Sequence, residues 1–170
     1  MANTFDRNST EHARDWPGLH VRTDWRAATW AGLIAGLVFL MAEMLLVWAV
    51  QGMSPWAPPR MMAAMALGPG ILPPPADFSL AAVITAMLIH FPLSVIYALV
   101  LGWAIHRLEM GAALLAGAAF GLIAVYAVNF YVVAPMAFPW FIEARNWISV
   151  ISHAVFGLVL AGSYVVLRRD

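Results

Sequence analysis

Apolar residues in this chain gather into four long runs, and most polar residues fall in the gaps between them. The runs cover 27–50, 78–105, 111–133 and 147–167. A crossing helix needs about 20 mostly apolar residues, so each run is long enough to span a bilayer. Backbone polar groups in hydrocarbon must be satisfied within the segment, which makes each run a helix. The pattern predicts an all-α polytopic membrane protein, a four-transmembrane-helix bundle. Trp30 and Trp48, near the two ends of the first run, stand where interfacial aromatics are expected.

The gaps differ in character. The turn around 106–109 is tight. The 51–77 connection is long and proline-rich, with SPWAPPR and GPGILPPPAD flanking the apolar stretch MMAAMALG at 61–68. That stretch predicts a short helix that lies on the membrane surface or re-enters it, because irregular backbone at membrane depth survives only under a cover of protein. The third connection, 134–146, reads APMAFPWFIEARN. Residues 1–24 are polar and contain no apolar core of a signal peptide. They read as a solvated tail, with His12 and His20 as surface residues.

Arginine placement orients the bundle. Arg7, Arg14, Arg22, Arg26, Arg107, Arg168 and Arg169 fall on one side, and Arg60 and Arg145 on the other. The excess predicts that both termini are cytoplasmic, as in a bacterial inner-membrane protein.

Composition narrows the chemistry. The chain is 63% hydrophobic and 11% charged, against about 25% charged in ordinary soluble domains. Net charge is zero and lysine is absent, so no overall field draws nucleic acid. There is no cysteine, which excludes disulfides, thiolate metal sites and cysteine nucleophiles. No metalloprotease, nucleophile-elbow or nucleotide-binding motif occurs. The chemistry argues for a non-enzymatic protein.

Within the apolar runs the ionisable residues stand out. Glu43 follows Arg26 by 17 residues, His90 precedes Arg107 by 17, and His153 precedes Arg168 by 15. At the helical rise these separations are all about 22–26 Å. Three ionisable groups on three helices thus reach one layer, and Asn129 on the remaining helix lies near it. Ser94 and Ser152 are placed to hydrogen-bond locally. A carboxylate alone in lipid is expensive, so convergence of Glu43 with His90 and His153 is the least costly arrangement. Three uses follow. The layer is an interhelical polar clamp; or His90 and His153 ligate a haem b axially, as in an electron carrier; or the imidazoles and carboxylate serve a first-row metal or a proton in a small transporter.

The two halves of the chain resemble each other. Gly32 and Gly36 match Gly117 and Gly121, Pro55-Trp56 and Arg60 match Pro139-Trp140 and Arg145, and His90 matches His153. Two parallel two-helix repeats would account for this. The glycine pairs read as close helix packing. Trp56, Arg60, Trp140 and Arg145 read as interfacial anchors, or as a rim receiving an anionic solute over the polar layer. Glu143 and Asp77 are the acids placed to neutralise those arginines.

At SPWAPPRMMAAMALG, LPPPADF, MLIHFPLSVIYALVLGWAIHRL and FPWFIEARNWISVISHAVFGLV the chain resembles small uncharacterised four-helix bacterial membrane proteins that are often labelled "sodium:proline symporter" by automated transfer. The resemblance runs from Trp25 to Arg168 and implies the four-helix architecture. Transporters of that kind surround a midplane ion site with broken helices, so a four-helix chain would have to oligomerise to build one. A homo-oligomer or an accessory subunit of a membrane complex is the expected assembly.

Overall fold

The computed structural model describes residues 22–169, and among them there is no strand. Four helices are long and apolar enough to cross a membrane. Helix α1 is Trp25–Gln51 and α3 is Leu80–Ile105; between them a short helix, α2, spans Ala57–Leu67. Helix α4 runs over Met110–Ala137 and α5 over Trp147–Leu167. His12 and His20 lie outside the described residues.

Each long helix except α4 begins at a side-chain cap. Asp24 accepts from the Ala27 N–H at 2.9 Å, Ser79 from Ala82, and Asn146 from Ile148 and Ser149. Such caps satisfy donors that the first helical turn leaves free. Helix α1 ends at Gly52, which is left-handed at φ 65°, a conformation glycine adopts without steric cost.

Helix α4 is longer than the run 111–133 predicts, and its second half is wound differently. It is α-helical over Met110–Phe120, then π-helical over Gly121–Ala127 and Asn129–Val133. In the π segments each N–H reaches back five residues: Val128 to Ile123, Ala134 to Asn129. The next bond in that series would come from residue 135, a proline without an N–H. The Phe130 carbonyl it leaves open accepts from Arg145 Nη2 instead. The helix therefore continues through Pro135 because a side chain replaces the missing donor.

The packing is that of a membrane bundle. The buried interior is rich in alanine, with Ala28, Ala31, Ala35, Ala98, Ala113 and Ala161 all fully enclosed. Large apolar side chains point outward, Leu88, Leu115, Ile123 and Val166 among them. Helix α1 packs between α3 and α5, and α4 packs on α5. Small residues set both close approaches. A Cβ on Gly32 would come within 2.8 Å of Ala98 Cβ and 2.9 Å of the Ser94 carbonyl oxygen. A Cβ on Gly117 would overlap the Gly157 carbonyl and the Ala161 methyl. Ser94 and Ala98 follow His90 by four and eight residues, and Gly157 and Ala161 follow His153 by the same intervals. The α1–α3 and α4–α5 crossings thus use equivalent positions.

The two ends of the bundle differ. At the end carrying Arg26, Arg107 and Arg168 the interior is filled, with Leu101, Ile105, Leu160 and Tyr164 buried. Tyr164 Oη accepts from the Asp24 N–H at 3.3 Å, and Arg168 donates to the His106 carbonyl at 3.0 Å. At the opposite end α2, which carries most of the 61–68 stretch, lies against α3. Ala63 and Ala64 are fully buried there, Ala63 in a cluster with Ala82 and Ala86.

Candidate functional site

Three helices bring ionisable side chains to one place. Glu43 on α1, His90 on α3 and His153 on α5 are each more than nine-tenths buried, and all three line one cavity of about 600 Å³.

His90 owes its position to Gly36. A Cβ there would stand 2.7 Å from Ser94 Oγ and 3.3 Å from His90 Nε2. Without one, His90 donates from Nε2 to the Gly36 carbonyl at 2.8 Å. A carbonyl only accepts, so Nε2 carries the hydrogen and Nδ1 is the acceptor of the neutral ring. His153 has the opposite arrangement. Its Nδ1 donates to the Ser149 carbonyl, one turn earlier on α5, at 2.6 Å. In the neutral ring its Nε2 is then the acceptor. Phe39 touches both imidazoles, stacked on His90 at 5.6 Å and edge-on to His153 at 4.8 Å between ring centres.

Glu43 meets α5 through Ser149. Ser149 Oγ donates to Glu43 Oε1 at 2.9 Å, so one residue links the carboxylate to the His153 ring. Glu43 Oε2 is buried without a hydrogen-bond partner. The three side chains thus share a cavity wall, and the link between them is a serine and not a direct carboxylate–imidazole hydrogen bond. Among the described residues no three histidine, aspartate or glutamate side chains are grouped to hold a metal ion. A phenyl ring lies against both histidines, and the Nε2 of one is held by a helix carbonyl.

The remaining walls are mostly apolar. Phe130, Phe141 and Phe156 contribute rings, and Met61, Met62 and Met65 on α2 form the cover. The π-helical half of α4 supplies Val125, Asn129 and Phe130 to the cavity. Asn129 pairs with Tyr97 of α3, its Nδ2 donating to Tyr97 Oη at 2.8 Å. Of the two serines expected to bond locally, Ser94 donates to the His90 carbonyl at 2.9 Å. Ser152 is fully buried and its hydroxyl has no partner.

The four residues expected at the outer rim are not in the cavity wall. Arg60 donates to the carbonyls of Ile71 (3.1 Å), Pro75 (2.9 Å) and Asp77 (3.3 Å) in the proline-rich connection. Arg145 donates to the Phe130 carbonyl and stacks over Tyr131 at 4.6 Å. Both guanidinium groups thus satisfy carbonyls in stretches where proline removes donors. Trp56 packs edge-on to Phe78 at 4.9 Å, and Trp140 packs against Phe138.

Sequence reasoning passed over Ser149 and Phe39. Ser149 had a local signal, standing three residues after the cap Asn146 and four before His153. Phe39 had none, since one phenylalanine in an apolar run resembles any other. No family model, curated protein or solved structure matches this chain.

Proposed function

We propose that this integral membrane protein is a non-enzymatic binding protein that holds a small molecule in its intramembrane cavity. Glu43, Ser149 and His153 supply the polar end of the site, and the phenylalanine and methionine walls supply the apolar end. The observation that carries this reading is the second oxygen of Glu43, buried beside a 600 Å³ cavity with nothing to bond to. A lone carboxylate at membrane depth is costly, and a ligand group or a proton removes that cost. The volume falls within the range of small-molecule sites, which are mainly apolar with a few placed polar groups. The arginine-rich end faces the cytoplasm on this reading, which puts the cavity in the outer half of the bilayer.

The test is solvent extraction of purified protein followed by mass spectrometry, for the natural chain and for Val125→Trp, which fills the cavity from α4. A molecule retained by the natural chain and absent from Val125→Trp is the expected result. Equal retention by both, or none by either, contradicts the reading.

A further inference from the structure

We infer that the cavity selects a lipophilic cation, a positive centre carried on an apolar or aromatic body. The inference rests on the binding reading above and adds the sign of the charge. It reverses what the arginines in the outer connections suggest from sequence.

Four features of the wall agree. First, its charged residues are carboxylates: Glu43 in the interior and Glu143, exposed, at the rim. No arginine lines it, and the chain has no lysine. Second, the donors of Ser149, Ser94 and Asn129 are already engaged, and the amides of Gln51 and Asn146 join the wall only at the ends of their helices. Ser149 donates to Glu43, Ser94 to the His90 carbonyl, and Asn129 to Tyr97. Third, the unpaired atoms of the three ionisable residues are acceptors: Glu43 Oε2, buried with no partner, and the second nitrogens of His90 and His153, whose N–H groups face carbonyls. A guest that brings donors or positive charge fits such a wall, and an anion meets no arginine or lysine there. Fourth, Phe39, Phe130, Phe138, Phe141 and Phe156 surround the space. Aromatic faces attract cations, more strongly where water is excluded.

The experiment uses two ions of one shape and opposite charge, tetraphenylphosphonium and tetraphenylborate. Binding of each to the full chain in detergent is measured by equilibrium dialysis against protein-free micelles. The expected result is at least tenfold tighter binding of the phosphonium, weakened at least tenfold by Glu43→Gln. Glu143→Gln, an exposed change that does not enter the core, should weaken it severalfold, and this arm stands if Glu43→Gln does not fold. Equal or tighter binding of the borate, binding of neither ion, or phosphonium binding untouched by both variants overturns the inference. Borate binding that Val125→Trp abolishes would refute the charge assignment while leaving the cavity a binding site. Failure of the retention experiment would instead refute the site itself.

Discussion

Ser149 Oγ donates to Glu43 Oε1 at 2.9 Å, linking two helices through residues 106 apart in the sequence. The same serine's carbonyl accepts from His153, so one side chain and one peptide group of α5 hold two ionisable residues in register. Ser149→Ala would leave the carboxylate with no partner at all. The expected loss is about 1–3 kcal/mol of stability, read as a lower unfolding midpoint in detergent. Adding Glu43→Gln should recover part of that loss, because an unpaired amide is cheaper to bury than an unpaired carboxylate. A double variant as unstable as the two single losses added together contradicts the pairing.

Arg145 replaces the donor that Pro135 lacks, at the Phe130 carbonyl. Arg145→Ala should therefore destabilise the chain by about 1–3 kcal/mol. In a Pro135→Ala background the backbone regains an N–H, and the penalty of Arg145→Ala should fall by roughly half or more. Hydrogen exchange at residue 135 in that background would report the new bond directly. An undiminished penalty would assign the effect of Arg145 to its stacking on Tyr131.

Gly157 and Gly117 bring the backbones of α5 and α4 together closely enough that a Cβ on Gly157 would overlap the Gly117 carbonyl. Gly157→Ala should cost at least about 1–3 kcal/mol, since backbone cannot yield as a side chain can. Gly111, near the start of α4, has nothing within 4 Å of the Cβ position. Gly111→Ala should be neutral or stabilising by up to about 1 kcal/mol. Similar midpoints for the two variants would refute the close crossing.

Protein expressed with haem supplied should show no Soret band that depends on His90. The ring's Nε2 is held by the Gly36 carbonyl, and Phe39 lies against both histidines. A Soret band lost in His90→Ala would show that the helices rearrange around iron.

Asp24 sets a pH dependence at the arginine-bearing end. The Ala27 N–H, followed by the backbone of Arg169 and Arg26, holds its carboxyl below the ordinary value of 3.8, against an opposing effect of burial. A carboxyl with a depressed folded pKa stabilises above its unfolded value, and that stability is lost as pH falls through the folded value. Unfolding midpoints should therefore drop below about pH 4, and Asp24→Ala should flatten that part of the profile. An unchanged profile in the variant would assign the acid sensitivity to another group.

Much of the fold is legible in the sequence. The four runs appear as helices with ends displaced by a few residues, except at α4. There the apolar run stops at 133, and the helix continues through Pro135 to Ala137 because Arg145 replaces the missing donor. That Glu43, His90 and His153 stand at a common height along their helices was also legible, since helical rise converts residue counts into distance, and the three line one cavity. Their partners were not. Counting along a helix fixes height but not rotation, so it could not tell a carboxylate facing an imidazole from one facing Ser149.

The sequence by itself determined that this is a helical membrane protein and that Glu43, His90 and His153 stand within its apolar runs. Hydrocarbon forces those conclusions, because it satisfies no backbone group and tolerates few charges. Only the tertiary structure decided which way the polar groups face. It placed Arg60 and Arg145 on backbone carbonyls, outside the cavity wall, and set Glu43 and Glu143 in that wall. Charge sign at a site depends on which donors the backbone has already claimed, and that follows from contacts between segments far apart in the chain.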